Sequence, residues 1–180
     1  MSDEKRDGLD ALIDDASLED FDWSSPSTDD DDVVTTVMHF DVGKNIYALP
    51  GEDVREIVFA PKVTPLPGAP SYVTGVTIHR QEVIGVLDLN TWFGLETKRF
   101  RAKRLIIVEH GNMVAGILTG VRTEIVEWTR AHTRGVLLPT LPTKLRAYAT
   151  ATRELNDEVV TLIDIRRIIE DAAVDESRAR

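Results

Sequence analysis

From Val33 onward, apolar residues fall into short runs, alternating or continuous, each closed by glycine, proline or a polar cluster. A strand turns successive side chains to opposite faces and is punctuated by turn residues, so this spacing predicts an all-β sandwich or barrel. The expected strands are Thr35–Val42, Asn45–Leu49, Val54–Phe59, Val73–His79, Glu82–Asp88, Arg104–Glu109, Met113–Leu118, Arg122–Glu127, Ala147–Thr152 and Glu158–Ile163. They are enough for two small barrels. Gly43-Lys44 and Gly111-Asn112 sit between strand runs as hairpin turns, since glycine and asparagine tolerate positive φ. Pro61, Pro65, Pro67 and Pro70 make APKVTPLPGAP an extended connector, because each ring fixes φ and biases the preceding residue to extended backbone. No central strand is expected there.

One helix stands out. Asp164 can cap its N-terminus, and Ile165, Ile168, Ile169 and Ala172 recur at the spacing of a single helical face, which should pack on the barrels. Beyond Ala173 the sequence VDESRAR is expected to fray. DLNTWFGL can form a single helical turn ended by Gly94, with Trp92 and Phe93 as core anchors.

The N-terminal segment follows another rule. Residues 1–35 hold thirteen acids against two bases, a net of −11, so the rest of a chain whose total is −10 carries +1. A neutral domain behind an acidic segment argues against a halophilic fold and against a nucleic-acid surface. Low-complexity SSPSTDDDD and its surroundings lack apolar area to offset ordering entropy, so residues 1–34 read as a disordered acidic tail ahead of a domain spanning 35–173, with 174–180 frayed. Within the tail, Leu9, Leu12, Ile13, Leu18, Phe21 and Trp23 alternate with acids, a composition seen in segments that fold onto a partner, although a merely solvated tail fits as well.

The chain has no cysteine, which removes disulfides, thiolate metal sites and a cysteine nucleophile, and fits a reducing compartment. MSDEKRDGLDALIDD lacks the basic-then-apolar order of an export signal, and no apolar run approaches the roughly 18 residues of a membrane span. A cytoplasmic protein with no direct membrane insertion is expected.

Chemistry needs convergent groups, and the sequence offers few. His39, His79, His110 and His132 are scattered singly, without HxH or HExxH spacing. There is no GxGxxG, GxxxxGK[ST] or GxSxG at a strand-to-helix turn, so nucleotide binding and serine hydrolysis lose their usual warrants. Glu154, Asp157 and Glu158 lie in a polar hairpin-like stretch where solvated charge is the ordinary explanation. KRFRAKR, residues 98–104, is the one basic cluster; it could bind phosphate or attract the acidic tail through salt-sensitive contacts, but an exposed loop leading into LIIVEH fits better, since only Phe100 offers an aromatic platform. No enzyme, cofactor or metal site is expected.

Several segments in order resemble the CheW family. FDVGKNIYALPGEDVREIV is similar to its opening strands, with the V-x-E-I element as Val54-Arg55-Glu56-Ile57. TPLPGAPSYVTGVTIHRQEVIGVLDLNTWFGL resembles its proline connector, G-V-x-x-x-R hairpin, apolar strand and D-L-x-x-x-F-G. MVAGILTGVRTEIVEW and VVTLIDIRRII resemble its later strand pair and closing L-L-D-L-x-x-L-L. The likeness covers about Thr36 to Ala172.

It implies a mainly β fold of two five-stranded SH3-like barrels sharing a core, and a non-enzymatic adaptor in chemotaxis signal transduction. Such a protein bridges the cytoplasmic tip of a chemoreceptor and the regulatory domain of a CheA-type histidine kinase of a two-component system. Val54, Glu56, Ile57, Gly75, Arg80 and Gly116 match elements associated with partner binding, with Glu56 and Arg80 close together on one face. The alternatives are a scaffold of another chemosensory pathway, such as surface motility or type IV pili, and an array-organising protein acting through its tail. The chain departs from the family pattern in four places. The hairpin's usual Arg-Gly is Arg80-Gln81, so a different turn is expected; a usual proline is Gly85; and an aspartate and a valine are Gly120 and Arg122.

Overall fold

A computed structural model describes residues 34–95, 101–129, 132, 137 and 139–178. The acidic segment and the Lys98–Phe100 part of the basic cluster lie outside the described residues. The strands are β1 (Val34–Val42), β2 (Asn45–Pro50), β3 (Val54–Phe59), β4 (Val73–His79), β5 (Glu82–Leu87), β6 (Arg104–His110), β7 (Met113–Thr119), β8 (Thr123–Thr129), β9 (Ala149–Leu155) and β10 (Glu158–Ile163). Among the described residues three α-helices join them: α1 (Leu89–Trp92), α2 (Thr143–Tyr148) and α3 (Ile165–Arg178).

The strands form two five-stranded sheets, in the orders β8-β1-β2-β10-β9 and β3-β6-β7-β5-β4. Each combines antiparallel hairpins with one parallel join, β10 to β2 in the first and β5 to β7 in the second. Each sheet curls around a small interior of its own. The first encloses Val37, Ile46, Ala48, Trp128, Ala151, Val160 and Leu162; the second encloses Ile84, Val86, Leu105 and Ile107.

The period of two in the strands explains the third, larger core. In β1, Val37 points into its barrel while Met38 and Phe40 point out; in β6, Leu105 and Ile107 point in while Ile106 and Val108 point out. The outward sets meet in a shared core, sealed by Leu89, Trp92 and Phe93 at α1 and by Ile165, Ile168, Ile169 and Ala172 of α3.

Local chemistry fixes the connecting helices. Asp88 caps α1, its Oδ1 accepting from the backbone N–H of Asn90 (3.0 Å) and Thr91 (3.3 Å). Gly94, at φ 70°, ends the turn as expected. The Asn90 side chain then ties α1 to the first sheet, donating to Val42 O and accepting from the Tyr47 hydroxyl, both at 3.0 Å. Asp164 caps α3 through Arg167 N (3.1 Å). That helix runs through Arg178, beyond the end expected at Ala173. Its last turns have tertiary anchors, since the hydroxyls of Tyr148 and Tyr72 donate to Asp171 (2.8 Å) and Asp175 (2.9 Å). Helix α2 falls in LPTLPTKLRAY, where the sequence reading placed only loop and the start of a strand. It is six residues long and starts behind Pro142, whose fixed φ suits a helix entry. No described helix is long and apolar enough to cross a membrane.

Candidate functional site

The second barrel closes where β3 approaches the tip of the β4–β5 hairpin, and charged side chains make the closure. Arg80 Nη2 donates to Glu56 Oε1 at 3.0 Å, and His79 Nε2 lies 3.0 Å from Glu56 Oε2. Beside them Arg55 Nη1 donates to Glu82 Oε2 at 2.9 Å, with Glu109 Oε2 3.5 Å from its Nε. The hydrogen bond with His79 has the largest effect and holds the Glu56 carboxyl below its usual pKa; desolvation, next in size, opposes it, and the nearby charges, Arg80 foremost, reinforce the lowering. Glu56 and His79 are mostly covered, whereas the Arg80 side chain is 69% exposed. An exposed pair of this kind contributes about 0–1 kcal/mol to folding, so its geometry matters more than its stability.

The hairpin that carries Arg80 keeps a two-residue turn. Arg80 and Gln81 both have positive φ, 48° and 69°, and His79 pairs with Glu82 across them. That is the geometry of a type I′ turn, which fits the right-handed twist of the flanking strands. The positive φ that the missing glycine would ordinarily supply is adopted by Gln81 itself. The strands on either side dictate the turn, and Gln81 accepts a left-handed conformation that an L-residue ordinarily avoids.

On the outer face of the same hairpin, Ile78 and Val83 are cross-strand partners. They are 73% and 66% exposed. Two large aliphatics side by side in water, next to an exposed arginine held in place by a carboxylate, form an exposed patch of mixed apolar and cationic character. The sequence reading did not single them out. Apolar residues at both parities of VTGVTIH and EVIGVL fit strands covered on both faces, and only the tertiary arrangement leaves one face open.

The other family-matched residues sit in the frame. Val54 and Ile57 are half-buried against the shared core. Gly75 lies at a bulge with φ 148°, and a Cβ there would sit 2.2 Å from Thr64 O. Only glycine allows the connector to run against β4, where Thr64 and Val76 exchange two backbone hydrogen bonds of 2.8 Å. Gly116 lies on β7, where a Cβ would press to 2.8 Å from Leu105 Cδ1 inside the barrel. Glu56 and Arg80 are thus brought together, while Gly75 and Gly116 shape the barrel that carries them.

Two departures in the first barrel are coupled. A Cβ on Gly120 would fall 1.8 Å from Asp41 Oδ2, and Asp41 Oδ1 accepts the Arg122 backbone N–H at 2.7 Å. The chain therefore supplies a carboxylate from β1 in the space that a side chain at position 120 would fill. The Arg122 guanidinium donates to Glu158 Oε2 at 2.7 Å. Gly85 faces open space. The histidines lie apart: His39 is buried against Trp128, His110 meets Glu170, and His132 meets Thr129.

The model of the CheW-like domain matches residues 36–173. The chain belongs to the CheW-like domain family. Protein FrzA of Myxococcus xanthus is 31% identical over 137 residues, 74% of this chain and 84% of that protein. The chemotaxis protein CheW of Helicobacter pylori is 27% identical over 142 residues, 78% of this chain and 85% of the relative. The crystal structure of the scaffolding protein TtCheW from Thermoanaerobacter tengcongensis superposes with a TM-score of 0.64 at 22% identity, over 74% of this chain and 86% of that one, which supports the fold. The chain is a CheW-like scaffold of chemosensory type and not an enzyme.

Proposed function

We propose that this CheW-like protein is a cytoplasmic adaptor, recruited to receptor arrays at the inner face of the membrane, that couples a chemoreceptor tip to the regulatory domain of a CheA-type kinase. The outer face of the β4–β5 hairpin, with Ile78, Val83, Arg80 and its orienting partner Glu56, is the kinase-docking surface. Supporting this is the exposed aliphatic pair beside an arginine whose fork is aimed by Glu56 yet open to solvent. Interfaces concentrate binding energy in such anchors, arginine among them, surrounded by contacts of little energy. The planar guanidinium can serve Glu56 and an acceptor on the partner together, which the point charge of lysine does less well. Val54, Ile57, Gly75 and Gly116 support this surface from behind.

The test is affinity for the purified kinase regulatory domain and for a receptor-tip fragment. Arg80→Ala should melt like the parent yet lose affinity for the kinase domain by at least about tenfold, equal to about 1.4 kcal/mol. Arg80→Lys should recover part of the loss, and Val83→Lys should abolish binding. A folded Arg80→Ala protein that holds the kinase domain like the parent refutes the assignment.

A further inference from the structure

The first barrel carries a second surface that the adaptor reading leaves unused. At the far end of β1, an open hollow of about 530 Å³ lies between the β1–β2 turn, Arg101 and the Gly120–Arg122 crossing into β8. Lys44, Arg101 and Arg122 supply its cations, buried Ile46 an apolar wall, and Val121, 70% exposed, an apolar rim. Its acids are already committed, Asp41 to the Arg122 amide and Glu158 to the Arg122 guanidinium. Among the described residues Lys44 and Arg101 form no ion pair. Two of its lining positions, Gly120 and Arg122, are ones at which the chain departs from the family resemblance. A surface with free cations around apolar groups fits a ligand in which acids alternate with apolar side chains.

The chain contains such a segment. We propose that the hollow is the docking site of the chain's own acidic–apolar segment, residues 9–23, in an intramolecular contact. In DALIDDASLEDFDW, Leu12, Ile13, Leu18, Phe21 and Trp23 alternate with Asp14, Asp15, Glu19, Asp20 and Asp22. Reach permits it. The hollow lies a strand length from Val34, nine residues of β1 at roughly 3.3 Å each, or about 30 Å. An unfolded chain of about 20 residues would span about 25 Å, which would bring the stretch around Asp14 to Ser17 to the site. Tethering supplies an effective concentration on the order of mM, so modest charge and apolar contacts suffice.

Because the chain has no cysteine, Ser17→Cys in the full-length protein accepts one spin label. Amide signals of Gly43, Lys44, Gly120 and Arg122 should broaden at low salt. They should recover as ionic strength rises from about 0.01 M to about 1 M, where the screening length falls from about 30 Å to about 3 Å. Adding Lys44→Glu and Arg101→Glu, both at exposed positions, to the labelled chain should reduce the broadening severalfold without changing the melting temperature. Absence of broadening at these four amides overturns the proposal, as does broadening that survives the charge reversals. Broadening of equal size on an isotope-labelled chain mixed with a separate spin-labelled chain also overturns it, since the segment would then belong to a second copy.

Discussion

Trp92 lies in the core that the two barrels share. Its ring is 4% exposed and meets Tyr72 edge-on at 4.6 Å and Tyr148 at 5.8 Å, with Lys144 Nζ 4.5 Å from the ring centroid. These neighbours come from the connector before β4 and from α2, two elements far apart in sequence. Truncating a buried aromatic to alanine removes its transfer energy and leaves a cavity, together about 3–5 kcal/mol. The aromatic pairs place Trp92→Ala toward the upper half of that range, since each is worth about 0.5–1.5 kcal/mol beyond its buried area. Lys144 adds little, because a cation–π contact near solvent is worth about 0.5–1 kcal/mol. Against a total stability of about 5–15 kcal/mol, the variant should remain folded but lose a large share of its margin, with a fall in melting temperature of roughly 10–20 °C. Trp92→Phe keeps an aromatic ring in the site and should lose less than half as much. Urea unfolding followed by far-UV circular dichroism measures both. If Trp92→Ala unfolds within about 1 kcal/mol of the parent, the shared core does not run through α1 and the energetic account of the fold fails.

Other outcomes follow from single positions. Gln81→Gly should raise stability by about 1 kcal/mol, because glycine adopts φ 69° without the strain of an L-residue; an unchanged urea midpoint would show that the turn carries no such strain. Gly120→Asp should lower the melting temperature, since the new Cβ collides with the Asp41 carboxylate and frees the Arg122 amide; a variant as stable as the parent would mean that Asp41 can turn away without loss. His39 accepts from Trp128 Nε1 at 3.0 Å inside the first barrel, and burial holds its pKa below 6.5. The unfolded chain therefore binds the proton first, and stability present above about pH 6.5 should fall as pH drops below that value and level off under the folded-state pKa. Replacing His39 by phenylalanine should flatten the urea midpoint between pH 7.5 and 5.5, and a slope that persists unchanged assigns it to another group.

The strands were legible because each begins and ends at a chemically marked point. Gly43, Gly111 and the connector prolines punctuate runs whose alternation sorts one face from the other, and the ten expected strands agree with those found to within a few residues at their ends. What escaped depends on distant parts of the chain. The parallel joins of β2 to β10 and β5 to β7 link segments with no local signal between them. Helix α2 is too short for a periodic pattern and is held by Leu145 in the shared core. The end of α3 was misjudged because its anchors, Tyr72 and Tyr148, come from other elements. In the candidate site, the meeting of Glu56 and Arg80 followed from resemblance and not from spacing, and the exposed face of Ile78 and Val83 was invisible to both.

The two barrels repeat one plan, and their differences carry the functional argument. The orders β3-β6-β7-β5-β4 and β8-β1-β2-β10-β9 correspond strand for strand, with β4–β5 matching β9–β10. Both hairpins turn on two non-glycine residues of positive φ, Arg80-Gln81 and Asn156-Asp157. In both, the first residue after the turn is a glutamate bound by an arginine at the edge strand: Glu82 by Arg55 at 2.9 Å, and Glu158 by Arg122 at 2.7 Å. That shared ion pair belongs to the closure of either barrel, so it distinguishes no partner. One step further from the turn the repeat breaks. The first hairpin presents Ile78 opposite Val83, both exposed, whereas the second presents exposed Glu154 opposite Val159, which is only 38% exposed. The arginine of the first turn is an asparagine in the second, which has neither the charge nor the reach of Arg80. Two copies of one frame with unlike outer faces suit the proposed adaptor, which would hold two different partners at once. The aliphatic pair, its arginine and Glu56 therefore mark the face on which changes should affect one partnership while leaving the other intact.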